Sequence, residues 1–251
     1  MTRADDHTLA RDLAEQAGRL LLDLRARGGD PDLLRKAGDR RSHEFLAAEL
    51  AARRPDDAVL SEEGIDDKAR LTADRVWIVD PLDGTREFGD EGRTDWAVHV
   101  ALWERGAGLT AGAVALPAQD RVLSTANPPV LPATGNTPPR IVVSRSRAPQ
   151  LVRDVAGRIG AELVTCGSAG AKVATVLDGE TDAYLHAGGF YEWDTAAPVA
   201  VATAAGCHAS RIDGAALAYN RADPLMPDIL VCRPAIAGLL LAAIREATHA
   251  I

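Results

Sequence analysis

The residues with the clearest chemical potential lie at 77–88, where the chain reads W-I-V-D-P-L-D-G-T-R-E-F. The apolar run 76–79 predicts a short buried strand that ends in Asp80 and Asp83. Two buried carboxylates so close together are costly unless a cation compensates them. Gly84 permits a tight turn, whose backbone N–H groups can then face an anion. Because oxygen ligands select hard cations, this stretch predicts a site for Mg²⁺ or a similar ion beside a phosphate.

The same letters allow a simpler interpretation, since D-G is mainly a turn signal and Asp80 could cap that turn. The twelve residues together favour the metal site, because they resemble the signature of the inositol monophosphatase superfamily. That signature runs aromatic, two aliphatics, D-P-aliphatic-D-G-T, two further residues and an aromatic. Its members are lithium-sensitive, Mg²⁺-dependent phosphatases of sugars, inositols and nucleotides. One small departure is Asp90, where the family usually has a basic or polar residue.

Two more acidic positions extend the resemblance. Residues 58–60 predict a short strand that delivers Glu62 and Glu63, and W-D-T-A-A places Asp194 just before a predicted helix at 195–205. Taken alone, the acidic pair would be a solvated loop and Asp194 a helix N-cap. In the family, the first Glu of such a pair and the Asp of W-D-T-A-A are metal ligands. The resemblance therefore implies metal ligation by Glu62 and Asp194.

By the same resemblance, two magnesium ions are expected, with a third nearby. The first ion is assigned to Glu62, Asp80 and the backbone carbonyl of Leu82. The second is assigned to Asp80, Asp83 and Asp194. Glu62 also counts among the catalytic residues, and inhibition by Li⁺ is expected.

Asp39 lies, by the resemblance, near the position of the third ion. Together with the hydroxyl of Thr85 it would orient the attacking water. From the local sequence alone, Asp39 stands just ahead of a predicted helix at 41–54 and would be its N-cap or first-turn acid. Both interpretations are open at this point.

The second half of the chain resembles most the CysQ-type 3′(2′),5′-bisphosphate nucleotidases. The resembling segments are V-S-R-S-R at 143–147, G-S-A-G-A-K at 167–172, W-D-T-A-A, and P-L-M-P-D-I-L at 224–230. Those enzymes convert 3′-phosphoadenosine 5′-phosphate (PAP) to AMP in sulfate assimilation, which implies PAP as the substrate and PAPS as a further candidate. A second phosphate requires a cationic or N–H-rich patch. The candidate substrate contacts are Gly84, Thr85, Arg86, Arg145, Ser168 and Lys172.

Two other functions remain open. A myo-inositol-1-phosphatase, with fructose-1,6-bisphosphatase activity in addition, would use the same metal ligands. The ratio of kcat/KM on the nucleotide and on the inositol phosphate separates it from a nucleotidase. A non-catalytic nucleotide-binding regulator, built on an inactive phosphatase, would lack Mg²⁺-dependent turnover. His99 has apolar neighbours and is predicted to be a core or sheet histidine, not a ligand.

The fold that the resemblance implies is a layered α-β-α-β-α sandwich of mixed α+β and α/β character, as in fructose-1,6-bisphosphatase. The sequence pattern itself predicts an amphipathic helix that ends near Gly28, a mainly antiparallel sheet in the first half, and alternating strands and helices in the second. The proline-rich segment 127–139 is the best boundary. It would separate an N-terminal subdomain (1–130), with most metal ligands, from a C-terminal subdomain (140–251), with the substrate-binding elements and the last ligand.

Composition limits the partners. The chain has 251 residues, of which 47% are apolar, enough for a substantial core. Its net charge of −8 argues against nucleic acids and anionic membranes. Phosphorylated small molecules stay possible because bound cations invert the local field. Three scattered cysteines, an N-terminus without an apolar segment, and no run near the ~20 apolar residues of a membrane span predict a cytoplasmic protein. A homodimer is a further expectation from the family.

Overall fold

The computed structural model describes residues 5–133, 135–145 and 148–248. Within these ranges the chain forms two five-stranded sheets, with helices on and between them. None of the helices described is long and apolar enough to cross a membrane. The motif at 143–147 can be followed only to Arg145, because Ser146 and Arg147 lie outside the described residues.

Two long helices open the chain, α1 (Asp6–Ala26) and α2 (Pro31–Arg53). Helix α1 buries an apolar stripe and ends before Gly28, as its periodicity predicts. Helix α2 begins at Pro31 and not near residue 41, so its predicted start was wrong. The carboxylate of Asp30 caps it by accepting hydrogen bonds from two first-turn N–H groups, and the proline at the first position fixes a helical φ.

The first sheet has the strand order β1-β2-β3-β4-β5. Strands β1 and β2 are parallel, and the remaining neighbours are antiparallel. The prediction of a mainly antiparallel sheet in this half is therefore confirmed. The strands are β1 (Ala58–Ser61), β2 (Arg75–Asp83), β3 (Ala97–Glu104), β4 (Gly108–Leu116) and β5 (Arg121–Ser124). A short helix, α3 (Thr85–Gly89), follows β2.

The second sheet has the order β7-β6-β8-β10-β9 and follows the proline-rich segment. Its strands are β6 (Arg140–Ser144), β7 (Glu162–Cys166), β8 (Ala183–Tyr191), β9 (His208–Ser210) and β10 (Leu225–Cys232). The helices of this half are α4 (Gln150–Ile159), α5 (Ala169–Leu177), α6 (Glu192–Ala204) and α7 (Pro234–Thr248). Helix α6 starts before residue 195, so Asp194 lies in its first turn and not ahead of it.

Alternate residues of β2 show how the layers are built. Trp77 and Val79 pack with α1 and α2, whereas Val76 and Ile78 pack with α5 and α6. Helices α5 and α6 also cover the inner face of the second sheet, and α4 and α7 cover its outer face. The predicted α-β-α-β-α layering is confirmed. Because α5 and α6 come from the second half of the chain yet pack on both sheets, the division into subdomains 1–130 and 140–251 stays a prediction.

Candidate active site

The predicted acidic residues meet where β1 and β2 end and α6 begins. Strands β1 and β2 run parallel, with Ser61 beside Val79, so Glu62 and Asp80 emerge at the same edge of the first sheet. Asp194 enters from the first turn of α6. Three segments that are distant in sequence thus deliver carboxylates to one place.

A β-bulge in β2 turns Asp80 and Asp83 toward each other. Residues three apart in a regular strand face opposite sides of the sheet. Here Asp80 pairs with His99 and Asp83 pairs with Ala97, so β2 takes three residue steps where β3 takes two. The extra residue reverses the second side chain. Ligand atoms of Asp80, Asp83 and His99 consequently lie within 4.8 Å of one another.

Asp80 is the most enclosed of these carboxylates, with 1% of its surface exposed. Its Oδ1 accepts a hydrogen bond from the Leu82 N–H at 3.0 Å. Its Oδ2 is buried and has no hydrogen-bond partner among the described residues. Burial raises the pKa of Asp80 well above its ordinary value, and the negative charges of Glu62 and Asp83 raise it further.

The pKa values of Glu62 and Asp194 are also raised, although less than that of Asp80. Glu62 lies at the solvent side of the site, where part of its surface is exposed. Partial desolvation, followed by the charge of Asp194, raises the pKa of Glu62 to about 7. Burial, followed by the charge of Asp83, raises the pKa of Asp194 to about 7, although its Oδ2 accepts a 2.6 Å hydrogen bond from the Tyr191 N–H. The charges of Asp194 and Asp83 therefore help to raise the pKa of Glu62, and the charge of Asp83 helps to raise that of Asp194.

This arrangement fits a hard divalent cation. No Lys or Arg of the described residues forms an ion pair with Glu62, Asp80, Asp83 or Asp194. A buried carboxylate oxygen without a partner is the kind of group that a metal ion satisfies. The available ligands are carboxylate and carbonyl oxygens, which suit Mg²⁺ better than softer ions.

Two groups lie against the inner side of Asp83, and one of them, the Gly170 N–H, is hydrogen-bonded to it. Its Oδ2 accepts a 2.9 Å hydrogen bond from the Gly170 N–H, and the Nε2 of His99 lies 3.2 Å from the same oxygen. The Nδ1 of His99 donates to the carbonyl of Trp193 at 3.2 Å, which assigns the ring proton because a carbonyl only accepts. Gly170 leaves no space for a side chain, since a Cβ there would lie 2.3 Å from His99 Nε2.

His99 was predicted to be a buried sheet residue, and its burial is confirmed, with 0% exposed. Its contact with Asp83 was missed by the sequence analysis. The signal that could have found it is the pairing of β2 with β3, which sets His99 beside Asp80. Burial lowers the pKa of His99 and so favours the neutral ring.

Asp39 lies inside α2 and caps nothing, so its predicted N-cap role was wrong. The structure instead places it against Thr85. The Thr85 hydroxyl lies 3.2 Å from Asp39 Oδ1 and 3.1 Å from the carbonyl of Leu82, and it shares its proton between these acceptors. Burial, together with the charge of Glu63, raises the pKa of Asp39 to about 6. The two residues assigned to orient water are thus in contact.

The predicted substrate loops of the two halves also touch. Gly84 has a φ of 83°, and a Cβ there would lie 3.1 Å from the Cβ of Ser168. Ser168 caps α5 by accepting a 3.0 Å hydrogen bond from the Ala171 N–H. The D-G-T turn and the start of α5 therefore form one continuous corner beside the carboxylates. Arg86 of the same turn is exposed.

Lys172 is buried and Arg145 lies near carboxylates, so neither of these predicted substrate contacts is free in solvent. Lys172 is 3% exposed, donates to the carbonyl of Gly167, and lies 5.4 Å from the centre of the Tyr184 ring. Burial lowers its pKa. Arg145 lies 3.6 Å from carboxylate oxygens of both Glu87 and Asp90. Their roles in substrate binding, like those of the other predicted contacts, stay predictions.

The fold is that of a layered α/β protein, and its carboxylates form an acidic cluster that could hold a metal ion. A family model described as "Inositol monophosphatase family" matches residues 9–249. The chain belongs to the inositol monophosphatase family. The resemblance inferred from the sequence motifs is confirmed, and so is the class of enzyme, a phosphatase.

Relatives within the family are also similar to this chain. A 3′-phosphoadenosine 5′-phosphate phosphatase from Mycobacterium leprae is 51% identical over 254 residues, covering 96% of this chain and 94% of the relative. The 3′(2′),5′-bisphosphate nucleotidase CysQ of Escherichia coli (strain K12) is 31% identical, covering 73% and 78%. The crystal structure of CysQ from Bacteroides thetaiotaomicron superposes with a TM-score of 0.77 at 27% identity, covering 91% and 97%. The predicted similarity to CysQ-type proteins is confirmed.

Proposed function

We propose that this protein is a Mg²⁺-dependent phosphomonoesterase that hydrolyses PAP to AMP and inorganic phosphate, with PAPS as a further candidate substrate. The observation that carries the reaction type is the buried Oδ2 of Asp80, which has no hydrogen-bond partner in the described part of the chain and lies among carboxylates. The substrate is supported by the name of the relative that is 51% identical along nearly the whole chain. A role in sulfate assimilation and inhibition by Li⁺ follow from the same proposal.

In this proposal the carboxylates of Glu62, Asp80, Asp83 and Asp194, with the carbonyl of Leu82, hold the cations. Bound Mg²⁺ makes water more acidic and neutralises charge on phosphate oxygens. The protein's own contribution is mainly to position the carboxylates. The bulge in β2 aims two carboxylates at one point, and the hydrogen bond from the Gly170 N–H occupies Asp83 Oδ2, so that Oδ1 would be available to a cation.

Asp39 and Thr85 handle the attacking water. The contact with the Thr85 hydroxyl occupies Asp39 Oδ1 and leaves Oδ2 to accept a proton from water. Since the pKa of Asp39 is about 6, the carboxylate is largely ionised near neutral pH and can do so. Water oxygen adds to phosphorus while the bond to the 3′-oxygen breaks, and the departing oxygen takes up a proton. No protein nucleophile takes part.

The corner formed by Gly84 and Ser168 would receive phosphate. The backbone N–H groups of the tight turn at Gly84 and Thr85 are suited to an anion, whereas those of Gly170 and Ala171 in α5 already donate to Asp83 and Ser168. Arg145 would serve the second phosphate of the nucleotide, and Lys172 would hold the loop at Gly167 in place. A homodimer and a cytoplasmic location stay predictions.

The test is phosphate release from PAP, with inositol-1-phosphate and fructose-1,6-bisphosphate beside it, in Mg²⁺ with and without Li⁺. We expect a strong preference for PAP, because groups that bind a second phosphate are left unpaired by a monophosphate. Asp83→Asn should lower activity by several orders of magnitude. Asp178→Asn, which alters a carboxylate paired with Arg121 outside the site, is the matched control and should stay active.

Preference for inositol phosphate would retain the cation site and refute the nucleotide assignment. Near-normal activity of Asp83→Asn would refute the site itself. Absence of Mg²⁺-dependent turnover on all three substrates would favour the non-catalytic regulator.

A further inference from the structure

Two of the proposed cation ligands come from opposite halves of the chain and need a common support. Glu62 stands in the loop that follows β1, which is largely exposed and which Lys68 also joins to the carbonyl of Ala222 at 2.8 Å. Its Ile65 is 97% exposed, and the Gly64 N–H donates to Ser61 at 3.2 Å. Asp194 stands in the first turn of α6. Two like charges do not approach each other without a scaffold that holds them, so the connection between these segments matters.

Arg70 provides the first part of that connection. It lies in a short 3₁₀ helix just after the Glu62 loop and is 1% exposed. Its Nε and Nη2 bind the two oxygens of Asp66 at 2.6 and 3.0 Å, which fixes the end of the loop. The same guanidinium donates across the fold, from Nη1 to Asn220 Oδ1 at 2.7 Å and from Nη2 to the carbonyl of Arg221 at 2.9 Å.

Asn220 provides the second part. Its side-chain amide returns a hydrogen bond to the carbonyl of Arg70 at 3.1 Å. Its backbone N–H donates to Glu192 Oε2 at 2.6 Å, and the Arg221 N–H donates to Glu192 Oε1 at 2.8 Å. Glu192 is fully buried and is the first residue of α6, two positions before Asp194. Hydrogen bonds therefore run without a break from the Glu62 loop to the Asp194 turn.

We propose that Arg70 and Asn220 are positioning residues of the cation site, which fix the separation between Glu62 and Asp194 through Asp66 on one side and Glu192 on the other. This inference depends on the proposed function, because it treats those two carboxylates as ligands. Neither Arg70 nor Asn220 is itself a ligand. Residues that support ligands in this way typically change metal affinity about 10- to 100-fold when they are removed.

Asn220→Gly is the sharpest variant. Asn220 has a positive φ of 57°, which glycine adopts without strain, and the backbone N–H to Glu192 is kept. Only the two side-chain hydrogen bonds to Arg70 disappear. Arg70→Met is the second variant, and Asn220→Asp, which retains an acceptor for Arg70 Nη1, is the conservative one. Arg121→Met is the control, since it breaks an ion pair between the halves that lies outside the site, with Asp178 at 2.7 and 2.8 Å.

The measurement is the melting temperature of EDTA-treated protein against MgCl₂ concentration, which gives an apparent Kd for Mg²⁺ without substrate. We expect Asn220→Gly and Arg70→Met to raise that Kd about 10-fold or more. Asn220→Asp should stay closer to the wild type, and kcat of Asn220→Gly should recover at saturating Mg²⁺. Arg121→Met should lower the melting temperature and keep the Mg²⁺ Kd within about twofold.

A purely structural role predicts something else: a lower melting temperature for Asn220→Gly with an unchanged Mg²⁺ Kd. That result would overturn the inference while leaving the proposed function intact. If Mg²⁺ does not stabilise even the wild-type protein, the proposed function is refuted and the positioning role with it.

Discussion

Replacing Asp80 by Asn should stabilise the metal-free protein and abolish its response to Mg²⁺. Asp80 and Asp83 place ligand atoms within 4.8 Å of each other. At that distance and an effective dielectric constant of about 20, two full charges repel by about 3.5 kcal/mol. Proton uptake relieves part of this repulsion, since the pKa of Asp80 is raised by burial. We expect a gain of about 1–2 kcal/mol, or roughly 2–8 °C in melting temperature for a chain of this size.

The hydrogen bonding of Asp80 supports the expected gain in stability. Asn keeps the oxygen that accepts from the Leu82 N–H. Its amide group then occupies the place of Oδ2, which has no hydrogen-bond partner among the described residues, and supplies a donor where the charges of Glu62, Asp83 and Asp194 act on Asp80. The substitution exchanges a repulsion for a hydrogen bond without changing volume.

The assay is thermal unfolding in EDTA at about pH 8, repeated with MgCl₂. Asp57→Asn is the matched control, because Asp57 is an enclosed carboxylate that does have partners: Arg75 at 2.9 Å and the Trp77 indole at 2.9 Å. It should lose stability in EDTA and still be stabilised by Mg²⁺. A lower melting temperature for Asp80→Asn in EDTA would refute the reasoning, and so would a Mg²⁺ response equal to that of the wild type.

The remaining predictions concern pH and packing. The pKa of Asp194 is about 7 in the folded protein, above the 3.8 of an ordinary Asp, so the metal-free fold loses stability as pH rises through 7. The difference in melting temperature between Mg²⁺ and EDTA should therefore widen from about pH 5.5 to 8, and a constant difference would contradict this. Gly170→Ala should lower stability by about 1–3 kcal/mol, because the added Cβ would lie 2.3 Å from His99 Nε2. Gly157→Ala in α4 meets nothing within 4 Å and should be neutral or stabilising in the same unfolding assay.

Local patterns were enough to predict the strand at 76–79 but not the shape of its end. The apolar run and the D-P-L-D-G-T motif indicated a buried strand and a cation site. The bulge that brings Asp80 and Asp83 to one side depends on how β2 pairs with β3. Register depends on how two strands pair, and the sequence of one strand alone does not determine it.

The predicted start of α2 was wrong for a different reason. Gly38 lies between the true start at Pro31 and the predicted one, and glycine is intrinsically unfavourable in a helix interior. In the structure Gly38 is needed inside the helix, because a Cβ there would lie 2.8 Å from Phe88 and 2.9 Å from Leu82. The helix can therefore press against the D-P-L-D-G-T segment and bring Asp39 to Thr85. Asp30 and Pro31 did signal the true start, but the packing that justifies Gly38 is visible only in the fold.

Contacts between distant residues were beyond the sequence altogether. Arg70 and Asn220 are 150 positions apart, and each looks like an ordinary polar residue next to its neighbours in the chain. The same holds for His99 and Asp83, whose partnership needs the strand pairing first. The ligand set followed from a family resemblance, whereas the supports of the ligands had to be found in three dimensions.

The structure also explains Asp90, which departs from the family pattern next to the central motif. Its Oδ1 lies 3.1 Å from Arg35, its Oδ2 lies 3.6 Å from Arg145, and its carbonyl accepts from Arg25 at 2.6 Å. The side chain at this position faces Arg35 and Arg145, so the surroundings favour an acid over a basic residue. Arg145 is consequently held loosely by carboxylates and not left free in solvent. In the proposed function, the second phosphate of the nucleotide would compete with Asp90 for Arg145, which would make this corner a place for selectivity between one phosphate and two.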